Sequence, residues 1–319
     1  MSLVETRRKA STLAEALPYI KAYSGKIVVI KYGGHAMTEP GLRESFAQDV
    51  ALMRLVGIFP VVVHGGGPQI SAAMSEAGKA PEFIDGYRVT DLETAEIVRT
   101  VLVGQVNPSI VGLINTHGDL ACGVSGEDAN LIRATRKTGP DGQDIGYVGE
   151  VAEVRVGILH NLIEDGFVPV VAPVARCDDG QLHNVNADAA AGAIAESLGA
   201  EKLIYLTDVE GLYEDLGDED SLISALGASE LREMLDSGKL SAGMLPKIAS
   251  CDRALSNGVD RAHILDGRIE HALLLEVFTP EGIGTMVTAT GGLSEIEARE
   301  AAAGHGRRGP SNGNLGDAS

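Results

Sequence analysis

Short apolar runs alternate with stretches of helical periodicity along most of this chain. Ile27-Val28-Val29-Ile30 and Val61-Val62-Val63 read as buried strands over 26–31 and 60–64. Between them Leu42, Phe46, Val50 and Met53 share one face of a helix predicted over 40–56, with Pro40 in its first turn. Further helices are expected at 68–78, at 91–105 behind a Thr90/Glu93 capping box, and from Asn107-Pro108 to about His117. β-like pieces at 120–125 and 130–136, the turn Gly139-Pro140-Asp141-Gly142 and a stretch over 145–153 read as a hairpin insertion. Helix 155–166 leads into the apolar run 168–173. Asp188 is expected to cap helix 189–199, which runs into strand 202–207. An acidic loop at 214–221 precedes helices 228–237 and 243–257. Strand 261–265, helix 270–278 and strand 285–289 close the pattern.

Such alternation predicts an α/β fold, a three-layer αβα sandwich with a mostly parallel central sheet. Ligands then bind outside the C-terminal ends of the strands. Ahead of the first strand, residues 1–11 are polar, and 12–23 read as an amphipathic helix. Thr12 and Glu15 form its capping box, Leu13, Leu17 and Ile20 share one face, and Gly25 follows. That helix either packs on its own domain or docks onto another subunit; periodicity leaves both open. Residues 291–319 carry few large apolar groups and read as a disordered tail.

The formal charge of −19 argues against nucleic-acid or anionic-membrane partners, which need clustered Lys and Arg. An anionic substrate must then be held by a few local cations. Cys122, Cys177 and Cys251 are widely spaced and show no disulfide or metal pattern, which suits a reducing, cytoplasmic setting. The histidines form no ligand cluster, so no protein-held metal is expected. No signal-like or ~20-residue membrane-spanning run is read in the chain.

Candidate chemistry sits where strands end. Lys31-Tyr32-Gly33-Gly34-His35 and His64-Gly65-Gly66-Gly67 are two glycine turns, each between a buried strand and a helix. Such turns present backbone N–H groups to anions. Neither fits the common nucleotide signatures. Lys31 at a strand end is costly without an anionic partner. Arg88, in Gly86-Tyr87-Arg88-Val89-Thr90, suits a carboxylate, although a surface ion pair is the plainer reading. Asn184-Val185-Asn186-Ala187-Asp188 places two amides on one extended face beside a carboxylate, which reads as a plain helix cap but could also orient two lysines. Lys247, in Gly243-Met244-Leu245-Pro246-Lys247, stands at a helix start, where the dipole disfavours a cation, so an anionic partner is expected. Together these parts point to phosphoryl transfer, which needs positioning and charge neutralisation. A carboxylate acceptor is already ionised near neutral pH and needs no general base.

From about Leu13 to Val287 these motifs resemble the amino acid kinase family, and within it the arginine-inhibited members that phosphorylate N-acetyl-L-glutamate with ATP and Mg2+. The resemblance implies a catalytic set of Lys31, Lys247, Asp188, Gly34 and Gly66. It implies substrate contacts from Gly66, Gly67, Arg88, Asn184 and Asn186, and nucleotide contacts from Lys31, Gly33, Lys247, Thr207 and Asp208. His263, Glu276, Glu281 and Gly284, in a C-terminal signature running to Thr285, are the implied site for inhibitory L-arginine. The resemblance also implies an N-terminal oligomerisation helix (1–25) that joins dimers into a hexamer. An acyl-substrate lobe (26–195), an ATP and arginine lobe (196–290) and a tail (291–319) complete the implied organisation. Two features depart from the pattern: Pro108 follows Asn107 where a polar or basic residue is expected, and the tail exceeds the family core. Kinases acting on free glutamate or aspartate, and a non-catalytic arginine sensor, are the competing readings.

Overall fold

Ile27–Ile30, apolar on both sides, lies at the centre of the sheet. In a computed structural model of the chain, residues 3–215, 218, 221–236, 244–279 and 282–289 are described. Helices α1 (Leu3–Glu15) and α2 (Leu17–Tyr23) lead to β1 (Ile27–Tyr32), a 3-10 turn (Gly34–Met37) and α3 (Pro40–Leu55). Next come β2 (Phe59–His64), α4 (Gly67–Glu76) and a small hairpin, β3 (Phe83–Ile84) with β4 (Tyr87–Arg88). α5 (Leu92–Val101) and α6 (Asn107–Asn115) are joined by a π-helical turn (Leu102–Val106). Strands β5 (Ala121–Ser125), β6 (Ile132–Thr138) and β7 (Asp144–Val154) precede α7 (Gly157–Glu164). Then follow β8 (Val168–Ala172), β9 (Val174–Cys177), β10 (Leu182–Val185), α8 (Ala187–Leu198) and β11 (Lys202–Thr207). The last third holds β12 (Leu212–Tyr213), β13 (Leu222–Ile223), β14 (Ala225–Gly227), α9 (Ala228–Asp236) and α10 (Leu245–Ser256). It ends with β15 (Arg261–Asp266), α11 (Ala272–Phe278) and β16 (Thr285–Thr288).

Eight strands form the central sheet in the order β14-β16-β15-β11-β1-β2-β8-β5. Every pairing is parallel except β15 with β16. Alternating side chains of β1 feed two cores. Val29 packs with Ala191, Ile194 and Ile248 from α8 and α10 on one face. Val28, Ile30 and Tyr32 pack with Phe46, Val50, Met53 and Leu273 on the other. Helices on both faces make the three-layer αβα sandwich that the alternation predicts.

Several boundaries differ from expectation. The N-terminal helix begins at Leu3 and breaks at Ala16, so Thr12 lies inside α1 rather than at a helix start. Pro18, within the first turn of α2, has no N–H for a continuous helical ladder, which is why the break falls there. Asp91 caps α5 by accepting from the Thr94 N–H at 2.8 Å, while the Thr90 hydroxyl donates to the Arg88 carbonyl instead. The stretch at 120–125 is not part of the insertion: β5 is an edge strand of the central sheet, parallel to β8. The insertion is a closed four-stranded sheet, β10-β7-β6-β9, and Pro173 ends the apolar run 168–173 between β8 of the main sheet and β9 of the insertion. Finally, α5, the π turn and α6 form one 24-residue helix, Leu92–Asn115, apolar enough by length and composition to span a membrane. Val98, Val101, Leu102, Ile110 and Ile114 on it are buried in the second core. The tail 291–319 lies outside the described residues.

Candidate active site

The C-terminal ends of β1, β2 and β11 meet the N-terminus of α8. Lys31, next to the last residue of β1, is buried, and its Nζ lies 3.0 Å from Asp188 Oδ1. Lys247 Nζ, at the start of α10, lies 3.1 Å from Asp188 Oδ2. Asp188 is therefore not the cap of α8. Asn186 is, its Oδ1 accepting from the Asp188 and Ala189 amides, and this leaves the Asp188 carboxylate to the two lysines. Burial opposes ionisation of Asp188, but the two ammoniums outweigh it and hold the carboxyl below the ordinary carboxylate range. Two cations share one anion, so the cluster keeps a surplus positive charge in a poorly solvated place.

The glycine turns flank this cluster. Gly33 is extended, and a Cβ there would lie 2.6 Å from Lys31 Nζ, so the ammonium rests against bare backbone. Gly34 has φ +70°, a conformation that favours glycine. The next amide, His35 N–H, donates to Asp208 Oδ1 at 2.7 Å, so Asp208 closes the first turn from the end of β11. Thr207, just before it, is buried. In the second turn Gly66 caps α4 and carries Leu102 against its α-carbon.

On the other side of Lys31 a cavity of about 190 Å³ opens, the size of a small organic acid. Gly66, Gly67, Arg88, Asn184, Asn186 and Asp188 line it. Arg88 is 6% exposed, and its guanidinium donates to the Gly67 carbonyl, the Ser71 hydroxyl and the Met74 sulfur. It stacks on Phe83 at 4.7 Å and has no carboxylate partner among the described residues. Burial pushes its pKa down from the ordinary guanidinium value. Phe83, Leu102 and Val148 also line the wall and were not singled out from the sequence. As apolar side chains they look like core until tertiary structure places them.

A second cluster forms where β15, α11 and β16 meet. His263 Nδ1 lies 2.5 Å from Glu276 Oε1, and Glu276 Oε2 accepts from the Ile283 N–H at 2.9 Å. Lys202 Nζ stands 3.4 Å from His263 Nε2 and 4.6 Å above the Tyr23 ring of α2, neither partner evident from spacing. Burial, and then the Lys202 charge, lower the His263 pKa to about 4. Burial opposes ionisation of Glu276, but its bond to His263 helps bring it down to about 2. Gly284 must be glycine, since a Cβ there would strike the Ile264 carbonyl. Glu281 and Gly243 lie outside the described residues.

This arrangement of sheet, glycine turns and paired lysines defines a class. The family model described as "Amino acid kinase family" matches residues 26–266, and the chain belongs to that family. Acetylglutamate kinase of Caldanaerobacter subterraneus subsp. tengcongensis is 53% identical to it over 279 residues, spanning 88% of this chain and 93% of that one. Among solved structures, N-acetylglutamate synthase of Neisseria gonorrhoeae, complexed with coenzyme A and N-acetyl-glutamate, superposes with a TM-score of 0.79 at 26% identity. That match covers 91% of this chain, which spans 64% of the synthase chain. The same synthase complexed with coenzyme A and L-arginine gives a TM-score of 0.73 at 27% identity, covering 91% of this chain and 66% of that one.

Proposed function

We propose that this enzyme transfers the γ-phosphoryl group of ATP to the side-chain carboxylate of N-acetyl-L-glutamate, yielding ADP and N-acetyl-L-glutamyl 5-phosphate for arginine biosynthesis. The observation that carries the reading is the buried Lys31–Asp188–Lys247 cluster, with its surplus positive charge beside a cavity that holds the carboxylate-free Arg88. The acceptor carboxylate oxygen attacks the γ-phosphorus, the bond to the β–γ bridging oxygen breaks, and ADP leaves with that electron pair. Lys31 neutralises the transferring group, Lys247 the leaving phosphates, and Asp188 holds both ammoniums in place. Gly34, Gly66 and Gly67 offer N–H groups along the path. Arg88 and Asn184 grip the α-carboxylate and acetamido groups, while Asn186, its oxygen spent on the cap, has its N–H2 left to contribute.

In this reading residues 26–195 carry the acyl substrate and 196–290 the nucleotide, with Gly33, Thr207 and Asp208 on the nucleotide side. Magnesium would arrive with ATP and would supply charge neutralisation to the phosphates; Asp188 is not available to hold it, because both of its oxygens face ammoniums. L-Arginine binds around His263, Glu276, Glu281 and Gly284 and inhibits. The N-terminal helices, which expose Leu3, Leu13 and Leu17, join dimers into a hexamer. A cytoplasmic location suits the free thiols of Cys177 and Cys251.

A coupled ADP-release assay tests the substrate. Turnover is expected with N-acetyl-L-glutamate and not with free glutamate or aspartate; turnover only on an unacetylated acid refutes the reading. Added arginine is expected to lower the rate or raise the apparent KM. Full activity at saturating arginine removes the regulatory part.

A further inference from the structure

His64, the last residue of β2, is fully buried and directly precedes the second glycine turn. Its Nδ1 lies 2.8 Å from the Gly65 carbonyl oxygen, and its Nε2 lies 3.1 Å from Asn107 Nδ2. The same Asn107 nitrogen donates to the Val170 carbonyl at 2.8 Å. An amide nitrogen has two protons, so one goes to Val170 and the other to His64. The Val124 carbonyl, at 3.5 Å, is too distant to compete. Nε2 must therefore be an acceptor, and the ring is neutral with its proton on Nδ1, donating to Gly65. Gly123 leaves the space that the Asn107 amide oxygen fills. Asn107 itself follows the π turn, the irregularity that also lays Leu102 on Gly66.

The carbonyl and N–H of a trans peptide point in opposite directions. Tying the Gly65 carbonyl to His64 thus aims the Gly66 N–H the other way, on a residue that lines the cavity. A peptide between two glycines otherwise flips at little cost. We propose that His64, oriented by Asn107, is a positioning residue that locks the Gly65–Gly66 peptide with its N–H presented to the transferring phosphoryl group. This rests on the reading that the second glycine turn stabilises that group.

The test compares steady-state kinetics of the full chain with His64→Leu, His64→Asn and Gly66→Ala. Loss of one oriented donor in His64→Leu is expected to lower kcat about 10²-fold, with both KM values changed less than about threefold. Asn carries an N–H where the imidazole Nδ1 stood, so His64→Asn is expected to recover most of kcat. Equal losses in the two His64 variants, or an unchanged kcat in His64→Leu beside a large loss in Gly66→Ala, overturn the proposal and leave the reading of the turn intact. If Gly66→Ala also keeps full kcat, the reading of the turn falls, and the proposal with it. Should His64→Leu fail to fold, long-range proton–nitrogen NMR on the wild-type chain decides. A neutral ring protonated on Nδ1 supports the proposal, and a ring protonated on Nε2 overturns it.

Discussion

Lys31 and Lys247 are stable in a poorly solvated site because Asp188 lies between them, and one positive charge is left without a partner in the cluster. Lys31→Ala or Lys247→Ala is expected to lower kcat by roughly 10²–10³, the scale of losing one transition-state contact. Thermal melting monitored alongside should show a folded protein, and unchanged turnover in the ADP-release assay would remove these roles. Both lysines were legible in the sequence because a cation at a strand end or helix start is locally unfavourable and calls for a partner, whereas Arg88 read more plainly as a surface ion pair. The partner was less legible. Asp188 read as a helix cap that could also orient two lysines, since Asp and Asn are equally good caps, and only the backbone path made Asn186 the cap. Leu102 and Phe83 were invisible as site residues because an apolar side chain carries no sign of which surface it will face.

Among the elements, strands and helices of the central sheet were legible from periodicity. The errors fall where a proline or a local irregularity redirects the chain. Pro18 splits the N-terminal helix, and Pro173 separates β8 of the main sheet from β9 of the smaller one. The π turn merges two expected helices into one. α2 packs its Tyr23 ring beneath Lys202, while Leu13 and Leu17 remain 76% and 64% exposed. Exposed leucines on the two helices that lead into the fold are suited to burial against another subunit. Deleting residues 1–23 is therefore expected to yield dimers in sedimentation velocity. A hexamer that survives the truncation would show that other surfaces hold it.

For the whole molecule, buried imidazoles couple folding to pH. Burial lowers His64 to about 4 from 6.5, against the pull of the Gly65 carbonyl, and His263 falls to a similar value. Between those limits the unfolded chain binds more protons than the folded one, so stability drops as pH falls from about 6.5 toward 4. At its full extent the His64 shift contributes roughly 3 kcal/mol to that loss. Denaturant titrations of wild type and His64→Asn at several pH values should show the stability gap between them narrowing on acidification. A gap that stays constant would mean His64 is not held neutral by the fold.

By itself the sequence determined the layered α/β fold, the two glycine turns and the cations that need an anion, because apolar periodicity and isolated charges are properties of short segments. Tertiary structure alone decided which asparagine caps α8 and which apolar residues wall the cavity. It also decided that His64 and Asn107, forty-three positions apart, share one proton network. Those outcomes depend on where distant segments meet, and the free energy that selects the meeting place comes from burying two faces of one sheet.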